Sequence, residues 1–147
     1  KADLTAAVLT RFFDENLSGE LCAVRPGERF ASYVRRFREA LCAARADMSV
    51  DWFAQMRRLP SAEQEALVAV RAPMLAHIER GLMRVLDADE AVDRSRLVGP
   101  LSAERLCCYV LRAVFASLME GDECETLFAL LEVALYNDTV EEKDVVT

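Results

Sequence analysis

Apolar positions recur every three or four residues along most of the chain, which is the spacing of amphipathic helices rather than strands. Asp3 can N-cap a first helix from Leu4 to about Leu17, with Leu4, Val8, Leu9, Phe12 and Phe13 on one side and Ser18-Gly19 as its stop. Pro26-Gly27 marks a connector over residues 20–28. A second helix runs from Phe30 to about Ala46. Phe30, Val34, Phe37, Leu41 and Ala44 form its apolar stripe, and Arg35, Arg36, Arg38 and Arg45 lie mostly off it. A short helix begins at Ser49, with Val50, Phe53 and Met56 inward. Ser61 and Gln64 form a capping box that opens a helix through Leu67, Val68 and Val70. Pro73 either starts a new helix or kinks a continuing one, whose buried face is Met74, Leu75, Ile78, Leu82, Val85 and Leu86.

The pattern then breaks. Asp87 to Arg96 reads as a charged loop, ended by Gly99-Pro100. Ser102 caps a helix carrying Leu106, Tyr109, Val110, Val114 and Leu118, and Gly121 stops it. Asp122 with Glu125 forms a second capping box. The helix it opens buries Cys124, Leu127, Phe128, Leu131 and Leu135 and turns Glu125 and Glu132 to solvent. Thr139 with Glu142 predicts a last helix. The expectation is an all-α single domain over residues 1–147 with seven or eight helices. They either stack as antiparallel pairs or form one bundle around a central helix.

A chain of 147 residues that is 53% hydrophobic is long enough to bury a substantial core. No apolar run approaches the roughly 20 residues of a membrane span, so no membrane partner is expected. Its five cysteines, Cys22, Cys42, Cys107, Cys108 and Cys124, are odd in number and lack Cys-x-x-Cys spacing. Reduced core thiols in a cytosolic or nuclear protein fit that usage, and a cytoplasmic location is the expectation.

Charge alters the picture more. Residues 1–75 hold eleven basic and ten acidic groups, whereas residues 76–147 hold seven and fifteen. From Leu118 onward nine acids face one base, Lys143. A one-signed acidic end disfavours nucleic-acid backbone and favours a basic protein segment. Candidate partner-binding residues are Glu123, Glu125, Glu132, Tyr136, Asp138, Glu141, Glu142 and Asp144, provided that Tyr136 is exposed.

Catalytic chemistry is sparse. His77 is the only histidine and sits beside Ile78 in an apolar helix, so a core or boundary position is expected of it. Cys107 and Cys108 point apart on a helix and cannot chelate one ion with good geometry. The glycines are scattered and form no phosphate-binding motif. No enzyme, metal or cofactor is expected. Trp52 reads as a packing residue. Arg35, Arg36 and Arg38 with Arg57 and Arg58 read as a mixed charged face because acids are interleaved with them.

The segment Leu106 to Val146, LCCYVLRAVFASLMEGDECETLFALLEVALYNDTVEEKDVV, resembles the C-terminal HEAT-type domain of translation initiation factors. That domain occurs in the cap-complex scaffold, in initiation factor five and in the epsilon subunit of the guanine-nucleotide exchange factor. Leu135-Tyr136, Asn137-Asp138-Thr139-Val140, Glu141-Glu142-Lys143-Asp144 and Val145-Val146 correspond to the first of the family's two acidic-aromatic boxes. The resemblance implies HEAT-like stacked pairs, a domain cut short at its C-terminus, and an adaptor role. Its partner would be a Lys-rich segment of another initiation factor or a kinase. A second resemblance is to poxviral apoptosis-regulator-like bundles, whose last helices also run Leu-rich into Tyr-Asn or Tyr-Asp. It implies a single bundle that binds host signalling proteins and inhibits innate immune signalling.

Overall fold

The computed structural model describes residues 23–48 and 57–137, together with residues 4, 7, 8, 10, 11, 15, 54 and 55. The protein is all-α. Four α-helices are described from end to end: α1 (Phe30–Ala46), α2 (Ser61–Ala88), α3 (Ala103–Glu120) and α4 (Glu125–Leu135). Two 3₁₀ turns, Arg94–Arg96 and Gly99–Leu101, link α2 to α3. Six positions between Leu4 and Glu15 are helical, as the first apolar stripe predicts. The helix expected from Ser49 and the one expected after Thr139 lie outside the described residues, apart from helical Ala54 and Gln55.

α1 keeps its predicted bounds and stripe. Phe30, Val34, Phe37 and Leu41 are buried, Tyr33 joins them, and Tyr33 and Phe37 lie stacked one turn apart. The core continues through Leu82, Val85 and Leu86 of α2, Val110 and Val114 of α3, and Leu131 and Leu135 of α4. α3 packs chiefly on α2, while α1 touches α2, α3 and α4 alike.

Local punctuation takes the second of the two forms expected at Pro73 and departs from the sequence reading at two helix starts. α2 is one helix that carries Pro73 in its interior. The missing N–H and ring clash cost about 3 kcal/mol, but Pro73 is exposed, and buried Leu67 on one side and Ile78 and Leu82 on the other hold the two halves in register. Ser61 is not a cap either. Pro60 sits before the helix in an extended conformation, its carbonyl accepts from the Glu63 and Gln64 amides, and the Gln64 side chain donates to the Leu59 carbonyl at 2.7 Å. The box at Asp122 starts no helix there, because Cys124 adopts a left-handed conformation (φ 61°) and α4 begins at Glu125. The Gly121 stop stands. At φ 76° its N–H and that of Asp122 both reach the Ser117 carbonyl, a conformation that glycine adopts without strain.

Candidate functional site

Of the five described acids of the acidic end, Glu125 and Glu132 are paired within the molecule. α4 lies antiparallel to α1, and two arginines of the α1 segment reach across. Arg35 donates to both oxygens of Glu125 at 2.8 and 3.3 Å, with its guanidinium 4.2 Å from the centre of the Phe128 ring. Near the other end Arg29 pairs with Glu132 at 3.1 Å and lies 4.1 Å from the Tyr136 ring centre. The arrangement is the same twice: a guanidinium stacked on an aromatic face and paired with a glutamate. The hydrogen bond from Arg35 holds the Glu125 carboxyl below its ordinary range. Both pairs are solvent-exposed, so each adds little stability by itself.

Tyr136 does not face solvent. It is 4% exposed, and its hydroxyl donates to Asp89 Oδ2 at 2.7 Å. The same hydroxyl accepts from the Ala31 N–H at 3.3 Å. Asp89 is itself buried and also accepts from the Phe30 N–H at 2.7 Å and the Ala91 N–H at 3.0 Å. Its carboxylate therefore caps the start of α1 from the far end of α2, where a helix favours an anion. Burial, then the bond to Asp89, pushes the Tyr136 hydroxyl above the ordinary tyrosine range. Of the expected binding residues, Glu125 and Glu132 are surface groups paired to α1 and Glu123 is exposed. Asp138, Glu141, Glu142 and Asp144 lie outside the described residues. The exposed aromatic anchor that the acidic-aromatic reading requires is not found at Tyr136. Tyr136 follows the last residue of α4 in an extended conformation (φ −118°), and its hydroxyl turns inward to Asp89 and the start of α1.

The arginine face is engaged in a different way. Arg36 pairs with half-buried Glu28 at 2.9 Å. Arg38 donates to the Ser117 hydroxyl at 3.2 Å and to the Asp122 carbonyl, and Arg45 donates to the Leu118 carbonyl. Arg57 reaches the Met119 carbonyl at 3.3 Å. Together they satisfy carbonyls at and just beyond the end of α3 that have no intrahelical partner. Arg94 does the same for α2, donating to the carbonyls of Leu86, Asp87 and Asp89 at 3.0, 2.7 and 3.3 Å. Arg96 does so for α4, donating to Val133 and Tyr136 at 2.8 and 3.2 Å.

His77 is exposed, not a core residue, because Ile78 and Leu82 take the inward positions of α2. Among the described residues no group of His, Cys, Asp and Glu could hold a metal ion. None of the described helices is long and apolar enough to cross a membrane. Cys42, Cys107, Cys108 and Cys124 are free thiols. Burial pushes the Cys107 thiol up to about 12, whereas Cys108 is half-buried on the neighbouring face. At pH 8 a thiol reagent is expected to modify Cys42 and Cys108 while Cys107 and Cys124 stay unmodified until the protein unfolds. Site-resolved mass spectrometry reads this order, and early labelling of Cys107 contradicts it.

One concavity lies between α2 and α3, a groove of about 420 Å³. Ala72 and Ala76, one turn apart on α2, leave the space. Leu75, Cys108, Leu111 and Phe115 line it with apolar surface, and Arg71, Glu79 and Arg112 complete its lining. Arg71 and Arg112 have neither an ion pair nor a hydrogen-bond acceptor among the described residues, whereas the arginines of α1 and of the loop after α2 each have an acceptor. Nothing in the sequence pattern singles out this groove, since its alanines read as ordinary helix formers. Comparisons with protein-family models, curated proteins and solved structures return no match.

Proposed function

We propose that this protein is a non-catalytic interaction module. It is a helical bundle of the apoptosis-regulator-like kind, and it binds an amphipathic helix of a signalling protein in the α2–α3 groove. The observation that carries the reading is the groove itself. It offers apolar lining over about two helical turns and two arginines without an ion pair among the described residues, in a chain of net charge −7. Such a site suits a helix with apolar residues on one side and a carboxylate beside them. The contact of α1 with α2, α3 and α4 supports a closed bundle over a linear stack, in which each repeat touches only its neighbours. The burial of Tyr136 and the pairing of Glu125 and Glu132 count against the acidic end as the main binding surface.

The test is suppression of an innate-signalling reporter in cells expressing the protein. Ala76→Glu and Ala72→Trp fill the groove from exposed or half-exposed positions. Both are expected to keep the helical circular-dichroism spectrum and to lose suppression. A wild-type protein that does not suppress, or groove-filled variants that suppress fully, would overturn the proposal. The initiation-factor reading predicts a different result. It expects binding of a Lys-rich segment that weakens steeply with salt, that is lost on charge reversal at Glu141 and Glu142, and that the groove variants leave unchanged.

A further inference from the structure

α2 is anchored unequally on the two sides of Pro73. A proline in a helix interior donates no N–H, so the helical bond to the Ala69 carbonyl is missing, and the ring crowds that carbonyl. Ala69 and Pro73 are both exposed, so water takes the place of the lost donor.

After Pro73, the side chains of Ile78, Leu82, Val85 and Leu86 are all buried. Arg94 adds a clamp at that end by donating to the carbonyls of Leu86 and Asp87. Before Pro73, Leu67 is the one buried side chain among the described residues. It sets the register of this part, but Ala62, Ala66, Ala69 and Ala72 offer few atoms to interlock with a neighbour. Among the described residues the only side-chain hydrogen bond made from residues 61–72 is that of Gln64 to the Leu59 carbonyl, just ahead of α2 itself. An element with few buried contacts and no bonds to its neighbours lies at the low-stability end of a structure.

The groove straddles the proline. Arg71 and Ala72 of its lining precede Pro73, and Leu75, Ala76 and Glu79 follow it. The wall contributed by α3 is a single helix without proline.

We infer that Pro73 is the hinge of an adjustable groove. Residues 61–72 swing as a helical unit against α3, while residues 74–88 stay fixed in the core. The swing changes the width of the groove at its Arg71 end and leaves the Glu79 end unchanged. Hinge motions of this kind fall in the microsecond-to-millisecond range. The motion belongs to the free protein. Its use in partner choice, where the Arg71 end admits helices of different girth, rests on the reading of the groove as a helix-binding site.

Amide residual dipolar couplings of the isotope-labelled full chain test this, because they average over the hinge timescale. Both parts of α2 are expected to show helical carbon chemical shifts. The alignment of residues 62–72 is expected to be smaller than that of residues 74–88 and of α3 by roughly a fifth, the effect of a swing of about 30°. Pro73→Ala restores the helical bond to Ala69 and is expected to bring the two parts to equal alignment. Equal alignment in the wild type overturns the inference, as does a Pro73→Ala protein in which the reduction persists. Carbon shifts that are not helical over residues 62–72 overturn it as well, since that part then melts instead of swinging. No ligand enters the measurement, so its failure leaves the helix-binding reading in place, and failure of the reporter test leaves the hinge in place.

Discussion

Asp89→Ala is expected to destabilise the protein by about 3–5 kcal/mol. Asp89 is a single buried carboxylate that closes three chain segments at once. It accepts from the Phe30 N–H, the Tyr136 hydroxyl and the Ala91 N–H. Alanine leaves at least two buried donors without an acceptor, at about 1–3 kcal/mol each, and removes the α1 cap, about 1 kcal/mol. Asn is expected to cost roughly half as much. It keeps one acceptor oxygen but turns an N–H₂ toward donors that need an acceptor. Chemical denaturation with an unchanged slope measures both. A loss below about 1 kcal/mol for Asp89→Ala would show that water replaces the carboxylate, and would remove it as the organising contact.

Asp89 also shows where the sequence stops being readable. In the chain it stands in Asp87 to Arg96, a charged stretch that reads as a solvated loop. Its partners are 47 and 59 residues away, and no local spacing announces them. The helices themselves were legible. The stripe Phe30, Val34, Phe37 and Leu41 predicts the buried side of α1, and Leu127, Phe128, Leu131 and Leu135 predict that of α4. Helix starts were not, because capping signals are short and compete. At Ser61 the preceding Pro60 takes the cap position, and at Asp122 the left-handed Cys124 delays the helix.

The arginines failed to read for a related reason. On a helical wheel Arg35, Arg36, Arg38 and Arg45 are an outward cationic set. Folded, each finds an acceptor supplied by another element: Glu125, Glu28, and the carbonyls at the end of α3. Long side chains reach past the face on which their Cα lies, so wheel position does not decide what they bind. The same reach neutralises Glu125 and Glu132, which the sequence offers as free binding charge. The candidate groove was invisible because it is made of absence, two alanines on α2 facing α3. Only the pairing of those helices makes small residues into a concavity.

Tyr136→Ala is the second large effect, with an expected cost of about 3–5 kcal/mol, the range for removing a buried aromatic ring. It takes away the ring under Arg29 as well as the hydroxyl between Asp89 and Ala31. Tyr136→Phe keeps the ring and is expected to cost about 1–2 kcal/mol. In a double-mutant cycle with Asp89→Ala the losses should fall short of additivity, because both variants break the same bond. The pH dependence separates this structural role further. The folded protein holds the Tyr136 proton more tightly than the unfolded chain does, through burial and the bond to Asp89. Its contribution is therefore complete below the ordinary tyrosine value of about 10 and is lost as the pH rises above it. Wild-type stability is expected to fall more steeply above that pH than that of Tyr136→Phe, with the two curves parallel below it. A Tyr136 that served as an exposed anchor for a basic partner would behave in the opposite way. Its Phe variant would weaken binding while leaving the melting temperature and the alkaline slope unchanged.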